Sequence, residues 1–279
     1  APVAPAASGA CVRRAPGALA RSATLVEAER EACREELAQL PPPSDLFVRL
    51  LACSDVARVG QDAPLCYTVL ELGQFTLQEL IVNCGDAARR GQPHSLTHDA
   101  ELYRVFLHVT RALLFLHSCM FVHGDMKPAN VMWFGAGGSG AWKLIDLDGL
   151  RTPSELVDMS DADFYTAIYA APEVARAVAD AAPLRLSRRL DVWAAGMTVL
   201  EMELLRPALW PKYEEFCGGD GDGLASFMRW LASEAQPVPM PSSPRVAQPV
   251  LLEVLGGSML QAAPAARAAP AALLGHPLL

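Results

Sequence analysis

The sequence predicts an α+β fold in which a small strand-containing part precedes a larger helical part. The chain has 279 residues, 52% hydrophobic and 19% charged, so it can bury a core large enough for one big domain or two lobes. Segments 47–53 and 65–71 are rich in apolar and β-branched residues, which indicates strands. Apolar residues recur at helical spacing in segments 97–117 and 193–204.

The N-terminal part combines irregular chain, one helix and the two strands. Residues 1–20 are rich in Ala, Pro and Gly and are predicted to be poorly ordered, apart from a candidate short strand at Ala10–Arg14. Segment 24–40 predicts a helix.

The larger part is predicted to be helical around one hairpin. Helix 97–117 has acidic residues in its first turn, where they suit the helix dipole. Its apolar positions are Leu102, Phe106, Val109, Leu113 and Leu116. The glycine-rich stretch 135–140 lies between two apolar segments, which predicts a β-hairpin. Segment 193–204 predicts a core helix that ends at Arg206–Pro207, and a proline-rich stretch, 237–249, joins the last helices.

The segment from His123 to Asn130, followed by Asp146, carries the chemistry of the chain. Asp125 can accept the proton of an attacking hydroxyl, and Lys127, two residues on, can reach a transferred phosphate. Asn130 and Asp146 can share a metal ion. The order and spacing of these four side chains predict a phosphoryl-transfer site.

This segment resembles the catalytic loop and metal-binding segment of protein kinases, and other motifs follow in the family's order. Segment 165–173 resembles the end of a kinase activation segment, which closes on Ala-Pro-Glu. Segment 190–197 resembles the start of the long buried helix of the large lobe. Segments 263–267 and 273–277 resemble its last helix pair. Four motifs in order are more specific than one, and the resemblance covers residues 25–279.

The resemblance implies a two-lobed protein kinase-like fold with a complete helical large lobe at residues 73–279. The small β lobe, expected at residues 21–72 with the hinge, is predicted to be incomplete, because no glycine-rich loop precedes Arg13. The chain therefore resembles a kinase truncated within its small lobe.

The family's catalytic roles map onto individual residues. By resemblance, Asp125 is the catalytic base, Lys127 contacts the γ-phosphate, and Asn130 and Asp146 are Mg²⁺ ligands. Thr166 resembles the hydroxyl that fixes Asp125 and Lys127 from the substrate side.

The nucleotide site implied by the resemblance lies where the chain crosses between lobes. Glu71 and Leu72 are expected to offer backbone groups to the purine of ATP. Leu70 is expected to line the back of the pocket and Met132 its floor. The three lysines are Lys127, Lys143 and Lys212, so Arg13 or Arg14 is the nearest cation for the α- and β-phosphates.

Two further interactions are implied within the large lobe. Glu173 and Arg267 are expected to form a buried ion pair, since a buried charge needs a partner. Asp191 is expected to accept backbone N–H bonds from the catalytic loop, although a helix N-cap is an equally good local explanation.

Two positions in the large lobe depart from the family pattern. Gly124 stands where many kinases have Arg, so we expect activity to be independent of phosphorylation at Thr152, Ser154 or Ser160. Asp148 replaces a glycine two residues after Asp146, where it can bind metal or stiffen the turn.

The predicted function is transfer of the γ-phosphate of Mg-ATP to a protein hydroxyl. Lys127 and Thr166 resemble serine/threonine kinases more than tyrosine kinases. Because the phosphate loop and strand lysine are missing, we expect the activity to be impaired. One alternative is a small-molecule phosphotransferase of the aminoglycoside or choline kinase type, which shares the His123-Gly-Asp125 motif. Another is a pseudokinase scaffold.

Composition narrows the partners and the compartment. A net charge of −8 argues against nucleic-acid binding, and no apolar run approaches the ~18 residues of a membrane span. The seven cysteines lack paired spacing, which favours a reducing, cytoplasmic compartment. The expected partners are nucleotide and a protein substrate.

Overall fold

A computed structural model of the chain describes residues 38–54, 67–136, 139–159, 165–218, 222–245 and 247–276. The chain divides into two units, residues 1–39 and 40–279, and every element given below lies in the second. The predicted strand at Ala10–Arg14, with Arg13, and the predicted helix up to residue 37 fall outside the described residues.

A two-stranded sheet follows a single helical turn, α1 (Pro43–Leu46). Strand β1 (Leu50–Cys53) pairs antiparallel with β2 (Thr68–Leu70), and the side chains of both strands are exposed. The strand predicted from residue 47 begins at residue 50, and residue 47 forms only an isolated parallel bridge to Leu144. Phe47 instead packs edge-on against Phe115, with ring centroids 5.5 Å apart, because this buries the ring in the helical core.

A short strand and a capped helix lead into the helical part. Strand β3 (Phe75–Thr76) precedes helix α2 (Leu77–Arg89). Thr76 and Glu79 form a capping box, in which each side chain satisfies a backbone N–H of the other residue. This helix was not predicted, although Thr and Glu three residues apart before an apolar run are its sequence signature.

Helix α3 (Asp99–Ser118) is the long helix predicted at 97–117. Its apolar positions are buried as the spacing required, and its first turn carries Asp99 and Glu101. The helix ends shortly before the segment that begins at His123, so it positions that segment.

The predicted hairpin is present as β4 (Val131–Ala136) and β5 (Ser139–Leu144), and β3 pairs with β4 to complete a three-stranded sheet. Gly135 faces Gly140 near the turn. A Cβ at Gly140 would lie 2.5 Å from the carbonyl oxygen of Phe134, so only glycine allows this close approach.

A small sheet and a short helix follow the hairpin. Strand β6 (Leu156–Val157) pairs antiparallel with β7 (Leu184–Arg185), and between them lies helix α4 (Pro172–Ala179). Helix α4 begins with proline, whose fixed φ and missing N–H suit a first helical position.

Helix α5 (Arg189–Leu204) forms the centre of the core and is buried on all sides from residue 190 to 203. It ends at Leu204, just before the predicted stop at Arg206–Pro207. Its buried Glu203 accepts hydrogen bonds from the amides of Arg245 and Ala247, which fixes the loop ahead of the last helices.

The remaining helices pack around α5. They are α6 (Trp210–Cys217), α7 (Gly223–Ser233), α8 (Pro249–Val254) and α9 (Pro270–Leu274). The first segment of the predicted last helix pair is a 3-10 turn at Pro264–Ala266, and the second is the short helix α9. None of the described helices has both the length and the apolar character needed to cross a membrane.

The predicted ion pair between Glu173 and Arg267 is present and joins α4 to the C-terminal segment. Two guanidinium nitrogens of Arg267 donate to the two carboxylate oxygens of Glu173, each at 2.7 Å. The same guanidinium donates to the carbonyls of Arg189 and Gln261 and lies 5.0 Å above the ring of Trp193. The side chain of Arg267 is fully buried, so every donor needs these partners.

We expect Arg267→Ala to lower the free energy of unfolding by about 3–5 kcal/mol, because it leaves the carboxylate of Glu173 without its partner. Chemical denaturation would measure this loss. Arg229→Ala, at an exposed position of α7, should change stability by less than about 0.5 kcal/mol. Equal losses in the two variants would contradict the expectation.

Candidate active site

The buried carboxylate of Asp191, at the start of α5, holds the segment after α3 in place. It accepts hydrogen bonds from the amides of His123 and Gly124, each at 2.9 Å, and contacts Nε2 of His117 at 2.8 Å. Burial by itself would raise the pKa of Asp191, but the bonds from His117 and the loop amides hold it below its ordinary value. The predicted amide bonds are therefore confirmed, whereas His117 was missed.

Gly124 has a left-handed backbone, with φ of 84°. This conformation directs its N–H toward Asp191, and an L-amino acid adopts it only at a cost. The left-handed backbone therefore explains why glycine occupies position 124, and the sequence alone did not reveal this explanation.

Asp125, Lys127 and Thr166 lie together, although Thr166 is 41 residues beyond Asp125. The Thr166 hydroxyl donates to Oδ1 of Asp125 at 2.8 Å and accepts from Nζ of Lys127 at 3.0 Å. Lys127 also donates to Oδ2 of Asp125. A partly exposed carboxylate is thereby fixed beside a cation.

Asn130 links this cluster to the hairpin. Its side-chain Nδ2 donates to the backbone carbonyl of Asp125 at 2.9 Å. Its backbone carbonyl accepts from the backbone amide of Ile145 at 3.0 Å. Since the Nδ2 group is used within the loop, the Oδ1 atom is the part of this buried side chain left to bind a ligand.

Asp146 follows directly after Ile145 and is exposed, with φ of 60°. Its carboxylate has no hydrogen bond or ion pair with any described residue. A non-glycine residue in this region costs about 1–2 kcal/mol, and such strain occurs often at functional sites. Asp148, two residues on, is also exposed.

The oxygens of Asn130 and Asp146 are of the hard type that Mg²⁺ prefers. No cluster of three or more His, Cys, Asp or Glu side chains was found in the described part of the chain. One amide and one carboxylate oxygen would leave positions for water and phosphate oxygens, which is how proteins commonly bind Mg²⁺. These residues therefore fit a Mg²⁺ ion that is held jointly with a nucleotide.

The predicted purine-binding residues lie next to the hairpin. The amide of Glu71 donates to the carbonyl of Arg49 at 3.0 Å and so serves the small sheet. Leu72 is 90% exposed, and its backbone makes no hydrogen bond to a described residue. Leu70 is exposed, and Met132 lies close to Gly73, where an added Cβ would be 2.2 Å from its sulfur.

Lys143 makes an ion pair that the sequence did not predict. Its Nζ lies 2.6 Å from Oε1 of Glu71, and the side chain is buried. Arg49 also donates to Glu71, through its amide and its side chain. Burial opposes the charge of Glu71, but Lys143 and Arg49 together lower its pKa. The ammonium group of Lys143 is therefore paired with the carboxylate of Glu71.

A second side chain that the sequence analysis did not single out is Glu201 on α5, which is connected to Thr166 through Tyr169. Glu201 is fully buried and accepts from the hydroxyl of Tyr169 at 2.6 Å and from Nε2 of Gln78 at 3.4 Å. Burial raises the pKa of Glu201 to about 7, and burial together with Glu201 raises the pKa of Tyr169. Tyr169 lies in the same turn as Thr166, since its amide donates to the Thr166 carbonyl at 2.9 Å.

The chain is similar to a family model and to several known proteins. The family model described as "Protein kinase domain" matches residues 65–279. The chain is 31% identical to serine/threonine-protein kinase SSN3 of Aspergillus oryzae over 120 residues, which cover 42% of the chain and 27% of that relative. It is 29% identical to cyclin-dependent kinase 8 of Caenorhabditis briggsae over 117 residues, which cover 40% and 18%.

A third relative carries a different description. The chain is 31% identical to dual specificity protein kinase zak2 of Dictyostelium discoideum over 111 residues, which cover 37% of the chain and 16% of that relative. The matched segments thus span about a quarter or less of the length of these three proteins.

We expect Gly124→Ala to lower the free energy of unfolding by about 1–2 kcal/mol, because alanine is strained at the φ of Gly124. Urea denaturation would measure the change. Gly149→Ala is the matched control, since an added Cβ there meets nothing within 4 Å. If both substitutions cost the same, the backbone explanation for Gly124 fails.

Glu201 should make stability depend on pH between its ordinary pKa of 4.5 and its folded value of about 7. In this window the folded chain retains a proton that the unfolded chain releases, so stability is lost as the pH rises through it. We expect the difference in unfolding free energy between wild type and Glu201→Gln to fall by up to about 3 kcal/mol across the window.

Denaturation of both proteins at a series of pH values would test this dependence on Glu201. Glu253→Gln, at an exposed position of α8, is the control variant. A Glu201→Gln difference that does not change with pH would show that Glu201 titrates normally.

Proposed function

The chain belongs to the protein kinase family, and from that premise we propose that it transfers the γ-phosphate of ATP to a serine or threonine hydroxyl of a protein. The observation that carries the proposal is the contact of Asp125 with Lys127 and Thr166. A base and a cation that are two residues apart meet an orienting hydroxyl that lies 41 residues beyond the base in the sequence.

Each side chain of the cluster has a chemical role in this proposal. Asp125 accepts the proton of the attacking hydroxyl, and its carboxylate is already oriented by Thr166. Lys127 contacts the transferred phosphoryl group and offsets its charge. The Asp191 carboxylate acts through the loop backbone and positions Asp125 without contacting the substrate.

Asn130 and Asp146 are the proposed ligands of Mg²⁺. The fixed Nδ2 of Asn130 leaves Oδ1 available, and Asp146 presents an unpaired carboxylate among the described residues. A bound Mg²⁺ ion supplies positive charge to the phosphates of ATP. For the purine, we propose the exposed backbone of Leu72, with Leu70, Glu71 and Met132 around it.

Lys127 and Thr166 support serine/threonine specificity, by their resemblance to that class. SSN3 is described as a serine/threonine kinase, whereas zak2 is described as a dual-specificity kinase. Peptides that differ only in carrying Ser, Thr or Tyr as acceptor separate these possibilities.

One observation favours a second candidate, a nucleotide-binding scaffold that transfers phosphate slowly. The chain has three lysines, and Lys143 is bound to Glu71. Lys127 is bound to Asp125, and Lys212 to Glu215. A lysine for the α- and β-phosphates is therefore missing from the described small sheet, and Arg13 is the proposed substitute.

We also propose that residues 21–72 form the small lobe with its hinge and residues 73–279 the large lobe. A reducing, cytoplasmic environment is the proposed compartment. Among the described residues, Cys53, Cys84 and Cys217 form no disulfide, which supports it.

Nucleotide binding is tested by thermal unfolding with and without Mg·ATP. At a ligand concentration of about 100 times Kd, the melting temperature should rise by roughly 5–10 °C. Asp146→Asn should lose the Mg²⁺-dependent part of the rise, and Asp180→Asn, at an exposed position just after α4, is the control. No rise in folded protein, or a rise that Asp146→Asn leaves intact, would contradict the proposed site.

Transfer itself is tested with radiolabelled ATP and a generic protein substrate. Asp125→Asn should keep the thermal shift and lower the transfer rate by about 100-fold or more, because it removes the base. A thermal shift in wild type without measurable transfer would favour the scaffold.

A further inference from the structure

Helix α3 is followed by a left-handed turn at Met120. The amide of Met120 donates to the carbonyl of His117 at 3.1 Å, and the amide of Phe121 donates to the carbonyl of Leu116 at 2.9 Å. Together with a φ of 63° at Met120, these two bonds form the Schellman motif that ends many helices. Glycine usually occupies this position, because a Cβ is strained there. Such strain is retained where the surrounding structure requires it.

The side chain of Met120 differs from those of the other methionines in its exposure. It is 54% exposed, whereas the other eight methionines of the chain are buried or half-buried. A thioether in contact with water can be reached by dissolved oxidants, which convert methionine to its sulfoxide. Met120 is therefore the methionine most accessible to such an oxidant.

The sulfur of Met120 contacts the guanidinium of Arg188, the residue directly before α5. Nη2 of Arg188 donates to this sulfur, which is a weak acceptor. Nε of Arg188 is buried without a hydrogen-bond partner, and no described residue forms an ion pair with this side chain. The N–H of Nε and one N–H of Nη2 share an edge of the planar guanidinium, an edge suited to oxygen acceptors. A thioether leaves this edge incompletely satisfied.

The contact between Met120 and Arg188 joins the same two segments as the buried carboxylate of Asp191. Asp191 binds the amides of His123 and Gly124. The Met120 contact lies three residues earlier along both segments. A change in its strength therefore acts on the loop that Asp191 holds.

We propose that Met120 is an oxidative modification site whose sulfoxide binds Arg188. A lone pair of the sulfur attacks one oxygen of hydrogen peroxide, so that an S–O bond forms and the O–O bond breaks. The attacked oxygen gives its proton to the departing hydroxide, which leaves as water. The sulfur loses two electrons, and the peroxide gains them. The sulfoxide oxygen is a stronger acceptor than the thioether and accepts from Nε and Nη2 of Arg188.

The modification tightens the junction between the end of α3 and the start of α5. A hydrogen bond from a charged donor to an oxygen is stronger than the contact with sulfur that it replaces. The amides of residues 120–124 then open less often. Methionine sulfoxide reductases remove the oxygen again, so the change is reversible.

Peptide mapping by tandem mass spectrometry, after brief exposure to hydrogen peroxide, tests the site itself. We expect Met120 to form its sulfoxide at least about tenfold faster than Met126, which is fully buried six residues further on. Dithiothreitol is then added, because it reduces cysteine sulfenic acids and disulfides and leaves methionine sulfoxide in place. Equal rates at Met120 and Met126 would overturn the proposal.

Amide hydrogen exchange of the treated protein tests the contact with Arg188. We expect the amides of residues 120–124 to exchange about fivefold more slowly than before treatment, with no change across α2. Methionine sulfoxide reductases should restore the original rates. Unchanged or faster exchange at residues 120–124 would overturn the proposal. The measurement is made without nucleotide, so its outcome is independent of phosphate transfer.

Three variants assign the slower exchange to this contact. Met120→Leu cannot be oxidised and should show no slowing, although it keeps every cysteine. Arg188→Ala removes the donor and should also show none. Arg229→Ala, at an exposed position of α7, should slow as the wild type does. Slowing in Met120→Leu or Arg188→Ala would overturn the proposal.

Discussion

The carboxylate of Asp191 is the constraint on which the candidate site depends. It is buried at the start of the central helix and binds two successive loop amides and His117. A buried carboxylate is costly unless its oxygens are satisfied, and here the loop conformation supplies both amides. That conformation places Asp125 beside Lys127 and Thr166. The positions of these partly exposed side chains thus depend on the buried charge of Asp191.

Glu71 has a comparable role where the small sheet meets the hairpin. Its carboxylate joins Arg49, just before β1, to Lys143 on β5. The ion pair with Lys143 is largely removed from solvent, so it is more sensitive to geometry than a surface pair. A motion that separated the small sheet from the hairpin would have to break it.

Local patterns predicted the large helical part better than the small one. The long helix at 97–117, the glycine hairpin and the buried helix at 193–204 each have a strong period or turn signal. Residues 47–49 carry a strand-like composition, yet residue 47 forms only an isolated bridge to Leu144 while its ring packs against Phe115. Composition does not reveal such a tertiary contact. The motif around Asp125 was visible in the sequence, but the partners His117, Glu201 and Lys143 come from distant segments.

Helix α5 carries three buried acids, and each fixes a different segment. Asp191 binds the loop at His123 and Gly124, and Glu201 binds Tyr169. Glu203 binds the amides of Arg245 and Ala247. The first two segments also meet each other directly, because Thr166 bonds Asp125 and Lys127. Opening of this single helix would release all three together, so amide hydrogens across them should exchange as one cooperative unit. The segments that these three acids hold therefore have the local stability of the core.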